Sequence, residues 1–158
     1  MTTPEKQSRF LALQRVNRHH VARRHAVVYA RGQHGQPPDD AVRGLVTWAA
    51  GDEWILAYIP IAALNYQTAE EAGAPRISRA RAYAARDGVL PPGVAKYGAW
   101  GQRRKLAKGF VVDGNHRVLA ATMRGDMAIR MYMPLADYAA LVRDAGGRIA
   151  RPSSRRSR

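Results

Sequence analysis

Four consecutive polar side chains around one glycine, Asp113, Asn115, His116 and Arg117 about Gly114, are the residues of this chain whose types and spacing could do chemistry. They sit where one periodicity gives way to another. Phe110-Val111-Val112 is a short apolar run that predicts a buried strand, and Asp113-Gly114 breaks it. From Asn115 onward Val118, Thr122 and the Leu119/Met123 pair recur at helical spacing, and Gly125 is placed to end the helix as its C′ residue. Ala128 to Met133 is a second β-type run, closed by Pro134. The first turn of a helix has backbone N–H groups without intrahelical partners and a partial positive charge, so a strand-to-helix junction attracts anions, phosphate above all. Gly114 lets the backbone approach a ligand and can adopt φ > 0. Arg117 can offer a planar fork to phosphate oxygens, and His116 adds a donor that titrates near neutrality. Asp113 can cap the helix, hold a metal or orient His116. The same residues fit a simpler role, a D-G turn in front of a helix with Asp or Asn as the cap.

Asp113-Gly114-Asn115-His116-Arg117, followed by Val118-Leu119-Ala120-Ala121 and Gly125, resembles the signature of the ParB/sulfiredoxin-like superfamily. Ile59-Pro60-Ile61-Ala62-Ala63-Leu64 is similar to that family's first strand and turn. Ser78 to Gly88 followed by Val89-Leu90-Pro91-Pro92 is similar to its helix and G-x-L-P-P exit. The resemblance covers roughly residues 54 to 142. It implies nucleotide or phosphate binding at Gly114, Asn115, His116 and Arg117, with ATP or CTP as the nucleotide and Mg²⁺ as its companion ion. Sulfiredoxins place a reactive cysteine where Asn115 stands; the chain has no cysteine, which excludes that chemistry. Chromosome-partitioning ParB proteins carry Glu-Arg-Arg after the glycine, where this sequence has Asn-His-Arg, and continue into further domains. Relatives with the Asp-Gly-x-His-Arg form include small-molecule kinases and nuclease-like proteins. The motif therefore leaves open a phosphate binder and an enzyme (phosphotransferase, NTP hydrolase or nuclease) with Asp113 and His116 as catalytic groups. Glu70 and Glu71 are further candidates for a general base or Mg²⁺ ligand. A third reading is a structural nucleic-acid-binding protein with a non-functional motif.

Composition sets the surroundings of this site. The chain has 158 residues, 46% apolar, enough for one domain with a core, and a net charge of +14. Residues 1–31 hold seven Lys/Arg against one acid and residues 143–158 hold six Arg against Asp144, while the stretch between is close to neutral. A near-neutral body with basic ends fits a module that meets a polyanion, and nucleic acid is the expected partner. Arg148, Arg151, Arg155, Arg156 and Arg158 in the tail, and Arg103, Arg104 and Lys105 beside Trp100, are the residues assigned to that contact. His19, His20 and His25 lack a metal-ligand spacing, so no metal site is expected there. No run is apolar enough to span a membrane, no signal peptide opens the chain, and the lack of cysteine fits the cytoplasm.

The elements expected to position the site follow. Thr3-Pro4-Glu5 reads as the start of a basic amphipathic helix running to about Arg24, with Phe10, Leu13 and Val16 on its apolar stripe and Arg9, Arg15, Arg18 and Arg23 opposite. Ala26–Ala30, Gly44–Ala50 and Glu53–Ile61 read as strands, with Trp54 and Tyr58 serving the core and Pro60 at an edge or end. Ala69–Ala72 reads as a helical turn. Ser78 reads as the cap of a helix with Ala80, Tyr83 and Ala84 facing inward, and Ala136–Ala145 reads as a last helix. The expected fold is α+β: a small mixed sheet with packed helices and an extra N-terminal basic helix. The chain divides into a basic arm (1–31), a ParB/sulfiredoxin-like domain (41–146) and a disordered basic tail (147–158).

Overall fold

The structure, a computed structural model, describes residues 3–24, 53–66, 68, 73–97 and 108–145. It is an α+β fold in which six strands form one mixed sheet. The strands are β1 (Leu11–Asn17), β2 (Glu53–Pro60), β3 (Leu64–Asn65), β4 (Gly93–Lys96), β5 (Gly109–Asp113) and β6 (Ala128–Pro134). The helices are α1 (residues 18–24), α2 (Ala74–Ala84), α3 (Asn115–Met123) and α4 (Leu135–Asp144). Across the sheet the order is β1-β2-β6-β4-β5-β3. β1/β2, β2/β6 and β4/β5 pair antiparallel, while β4/β6 and β3/β5 pair parallel.

Alternation along the strands sends side chains to two apolar layers. Ile55, Ala57 and Ile59 of β2, Ala95 of β4, Val111 of β5 and Ile129, Met131 and Met133 of β6 enter the larger core with Val118, Ala120 and Ala121 of α3 and Tyr138, Leu141 and Val142 of α4. Trp54, Val94 and Tyr132 face the other way and are covered by Val21 of α1. Trp54 and Tyr58 are both buried, as their positions in the sequence imply, and Pro60 ends β2. Phe110 and Val112, on the opposite side of β5 from Val111, are 38% and 37% exposed. The run expected to be a buried strand is therefore buried on one face only, through Val111.

The expected N-terminal helix is not formed. Pro4–Lys6 makes a single 3-10 turn, residues 11–17 extend as β1, and only 18–24 are helical. Pairing decides this. β2 offers β1 a backbone ladder from Leu11↔Tyr58 to Asn17↔Glu53, and the first turn is tied down separately. Met127 N–H donates to the Glu5 carbonyl at 2.7 Å, and Lys6 Nζ lies 3.3 Å from Asp126 Oδ1. Asn17 then opens α1 as an N-cap, its Oδ1 accepting from His20 N–H at 2.8 Å.

Ser78 does not start α2. Gly73 is the N-cap and Pro75 lies in the first turn, where its fixed φ and missing N–H cost nothing, so Ser78 falls inside the helix. Ala80 is buried, Tyr83 and Ala84 half-buried, and Arg79, Arg81 and Arg86 exposed, as the spacing implies. The last helix, α4, is held on β4 by Tyr97, whose N–H donates to Asp137 Oδ2 at 2.9 Å and whose hydroxyl donates to Asp144 Oδ2 at 2.6 Å. The expected strands Ala26–Ala30 and Gly44–Ala50, the turn Ala69–Ala72, and the 147–158 tail lie outside the described residues.

Candidate functional site at the strand-to-helix junction

β5 delivers the chain to Asp113, and the turn into α3 is made by Gly114 at φ +101°, ψ 21°. That backbone region suits glycine, and space closes it further: a Cβ on Gly114 would sit 3.1 Å from Gly93 Cα and 3.2 Å from Arg117 Nη2. Gly93, the first residue of β4, is equally tight, since its Cβ would lie 2.7 Å from the Asp113 carbonyl oxygen and 3.0 Å from Met131. Two backbones thus touch where β4 begins and α3 starts. Gly125 at φ +72° ends α3, with its N–H on the Thr122 carbonyl.

Arg117 is 4% exposed, the one charged side chain in the core of the described residues. Its guanidinium faces inward. Nη2 donates to Asp113 Oδ2 at 2.8 Å, and Nη1 donates to the Pro92 carbonyl at 2.6 Å. Asp113 and Arg117 are one helical turn apart (i, i+4), so the pair closes around the glycine. One expectation is corrected. The N-cap position of α3 belongs to Gly114, not to Asp113 or Asn115. Asp113 is Arg117's partner, while the other end of the Arg117 fork bonds the Pro92 carbonyl. Asn115 and His116, both half-buried, remain on the first turn of α3, where no acid offsets the helix's positive end.

α3 is buried over residues 117–121 because it lies between two layers. Val118, Ala120 and Ala121 meet the sheet, and Leu119 meets Ala80 and Ile77 of α2. Its far end carries Arg124, which belongs to none of the motifs in the sequence. Arg124 Nε donates to the Ala84 carbonyl at 3.1 Å, Nη1 to Gly88 at 2.8 Å, and Nη2 to Tyr83 at 3.2 Å and to Arg86. Arg130 of β6 adds a bond from Nη2 to the Leu90 carbonyl at 3.0 Å. Three arginines therefore hold the segment from Tyr83 to Pro92 by its carbonyl oxygens. A signal for this was present in Pro91-Pro92, which supplies acceptors and no N–H donors and so depends on side-chain donors when buried.

The structure brings Asp113, Gly114, Asn115, His116 and Arg117 into one turn, as their sequence adjacency demands, and adds Pro91, Pro92 and Gly93 from a distant segment. Arg103, Arg104, Lys105, Arg148, Arg151, Arg155, Arg156 and Arg158 lie outside the described residues, as do Glu70, Glu71, His25 and Trp100. Among the described residues no three His, Asp or Glu side chains are grouped to hold a metal ion, and no helix is long and apolar enough to cross a membrane. His20 stands apart from the junction, on the α1 side, with Nε2 3.2 Å from the Tyr132 hydroxyl. Burial, with Arg24 and Arg23 nearby, pushes the His20 pKa down, and burial pushes that of Tyr132 up. No family model, no curated protein and no solved structure matches the chain.

Proposed function

We propose that the chain is a ParB/sulfiredoxin-like module that binds a nucleotide (ATP or CTP) or another phosphorylated ligand at Gly114–Arg117 and associates with nucleic acid through its basic ends. The observation that carries the ligand half is the make-up of the α3 N-terminus. It opens on a glycine with no side chain, has no acid in its first turn, and has Asp113 drawn aside by Arg117. A phosphate at that end meets backbone N–H donors and the positive end of the helix dipole, with His116 and Asn115 as side-chain donors. Arg117 is then a positioning residue, setting the turn's shape through Asp113 and Pro92. The three segments that carry the family resemblance also converge. Ile59–Leu64 leads out of β2 into β3, Ser78–Pro92 forms α2 and the approach to β4, and Arg117 and Arg124 bind that approach to α3. The binding reading is preferred to the catalytic one because Asp113, the nearest carboxylate to the turn, is engaged by a guanidinium. Residues 143–158, with six Arg against one acid, support the nucleic-acid half.

The test is a thermal-shift series of the full chain with ATP, CTP, pyrophosphate and inorganic phosphate, each with and without Mg²⁺. Ligand at a hundredfold over its Kd adds about 2.7 kcal/mol to stability, which raises the midpoint by several degrees. His116→Ala should reduce that shift. A parent chain that none of these compounds stabilises refutes the ligand half.

A further inference from the structure

We propose that Arg24, anchored on Tyr132 beside His20, is a second phosphate contact for the ligand at the α3 N-terminus, so that the ligand is a di- or triphosphate chain rather than a single phosphate. The inference rests on the phosphate binding proposed above and names the ligand class of that site. Arg24 ends α1, which lies outside the residues that carry the family resemblance. His20 Nε2 is 3.2 Å from the Tyr132 hydroxyl, their rings meet edge to face at 5.9 Å, and Arg24 donates to the same hydroxyl. Tyr132 is buried and Arg24 is exposed, so the guanidinium is held from the protein side and open toward solvent. A guanidinium has more N–H donors than one phenol oxygen can take, which leaves the Arg24 fork able to bind an anion. Val21, packed on Trp54, Val94 and Tyr132, already ties α1 to the sheet.

Strand pairing puts this group and the candidate site on one row. Tyr132 of β6 stands opposite Val94 of β4, and Val94 stands opposite Asp113 of β5, with α3 beginning just past the row. Tyr132 and Asp113 are therefore two strand spacings apart, roughly 10 Å. A chain of two or three phosphoryl groups spans such a gap between a guanidinium and a helix N-terminus, and a lone phosphate does not. The charges point the same way. Among the described residues, the charged groups that act on the His20–Tyr132 pair are Arg23, Arg24 and Arg130, all cations. Cations gathered without a carboxylate repel one another, and an anionic ligand relieves that repulsion.

The experiment is calorimetric titration of the full chain with orthophosphate, tripolyphosphate and ATP at about 0.15 M salt, where distant surface charges are screened. The parent should bind tripolyphosphate and ATP at least about tenfold more tightly than orthophosphate. Arg24→Gln should weaken both polyphosphates by about tenfold, the size of a lost charge-assisted bond, and leave orthophosphate unchanged. Tyr132→Phe keeps the guanidinium and removes its anchor, so it should act in the same direction by a few-fold; if it fails to fold, Arg24→Gln at its exposed position carries the test. Arg15→Gln removes the same charge from exposed β1 and should change nothing. In NMR spectra of the parent, tripolyphosphate should shift the His20 ring resonances, and in Arg24→Gln it should not. An Arg24→Gln chain with the parent's polyphosphate affinity, or an Arg15→Gln chain weakened as much, overturns this inference. Phosphate binding at α3 then still stands if His116→Ala weakens it. A parent that binds none of the three compounds overturns both readings.

Discussion

Replacing Arg117 with alanine tests the central structural argument, that its guanidinium builds the turn instead of meeting a ligand. Two bonds are removed. The one to the Pro92 carbonyl, at 2.6 Å and with a charged donor, is worth about 1.5–3 kcal/mol. The ion pair with Asp113 is discounted because that carboxylate is 21% exposed and water can reach it, which leaves about 1 kcal/mol. The Pro92 carbonyl also loses its donor. A destabilisation of about 3 kcal/mol is expected, and with a urea m-value of roughly 2 kcal/mol/M the midpoint falls by about 1.5 M. Arg117→Lys should recover less than half of this, because one ammonium cannot span a carbonyl and a carboxylate in a fixed fork. Urea unfolding followed by fluorescence reads the loss, Trp54 being fully buried. A midpoint for Arg117→Ala within experimental error of the parent's refutes the reasoning. So does a variant of parental stability that no longer responds to phosphate ligands, since the guanidinium would then be a direct contact.

Gly93→Ala should cost about as much as Gly114→Ala, roughly 2 kcal/mol each by urea midpoint, through a Cβ pressed on the Asp113 carbonyl in one and strained φ in the other. Gly88→Asn, also at positive φ but with nothing within 4 Å of its Cβ, should cost under about 1 kcal/mol. Burial lowers the His20 pKa and favours its neutral form, so the contribution to stability is complete above the ordinary histidine pKa of 6.5 and is lost as pH falls below it. The melting temperature should therefore drop between pH 7 and 5, and His20→Gln should flatten that part of the profile; an unchanged profile contradicts the assignment. Arg124→Ala should destabilise by about 2–3 kcal/mol, measured by urea midpoint, for the loss of charged bonds to the α2 carbonyls.

The legible part of the sequence is local. Asp113-Gly114 announces a turn, Gly125 a helix end, and Ala128–Met133 a strand, because each depends on residues within a few positions of itself. The N-terminal segment reads as a helix because Phe10, Leu13 and Val16 fit a helical stripe. Pairing with β2, some forty residues away in sequence, overrides that preference. Ser78 resembles a cap because the same side chain suits a true helix start and a position one turn later, and Pro75 is the stronger marker. The motif locates the candidate site, yet it does not set the direction of Arg117. Inward and outward rotamers share one sequence, and the carbonyls of Pro91 and Pro92, about twenty-five residues upstream, join Asp113 in favouring the inward one.

The arginine brace along Tyr83–Pro92 bears on how the molecule opens. α2 meets the rest of the fold through Ile77 and Ala80 on Leu119 and through half-buried Tyr83 and Ala84 at the edge of the larger core, and the peptide that follows joins no ladder until Gly93. Side-chain donors replace what a strand would obtain from a neighbouring backbone. Such a segment is a natural unit of partial unfolding, released when Arg124, Arg130 and Arg117 let go while β2 and β6 stay paired. Amide protons of α2 should then exchange at a lower free energy than those of β2 and β6. In that opened state Arg117 loses the Pro92 carbonyl, so the Asp113–Gly114 turn and the α2 helix loosen together. A ligand that tightens the turn would, by the same linkage, protect α2 from exchange without touching it.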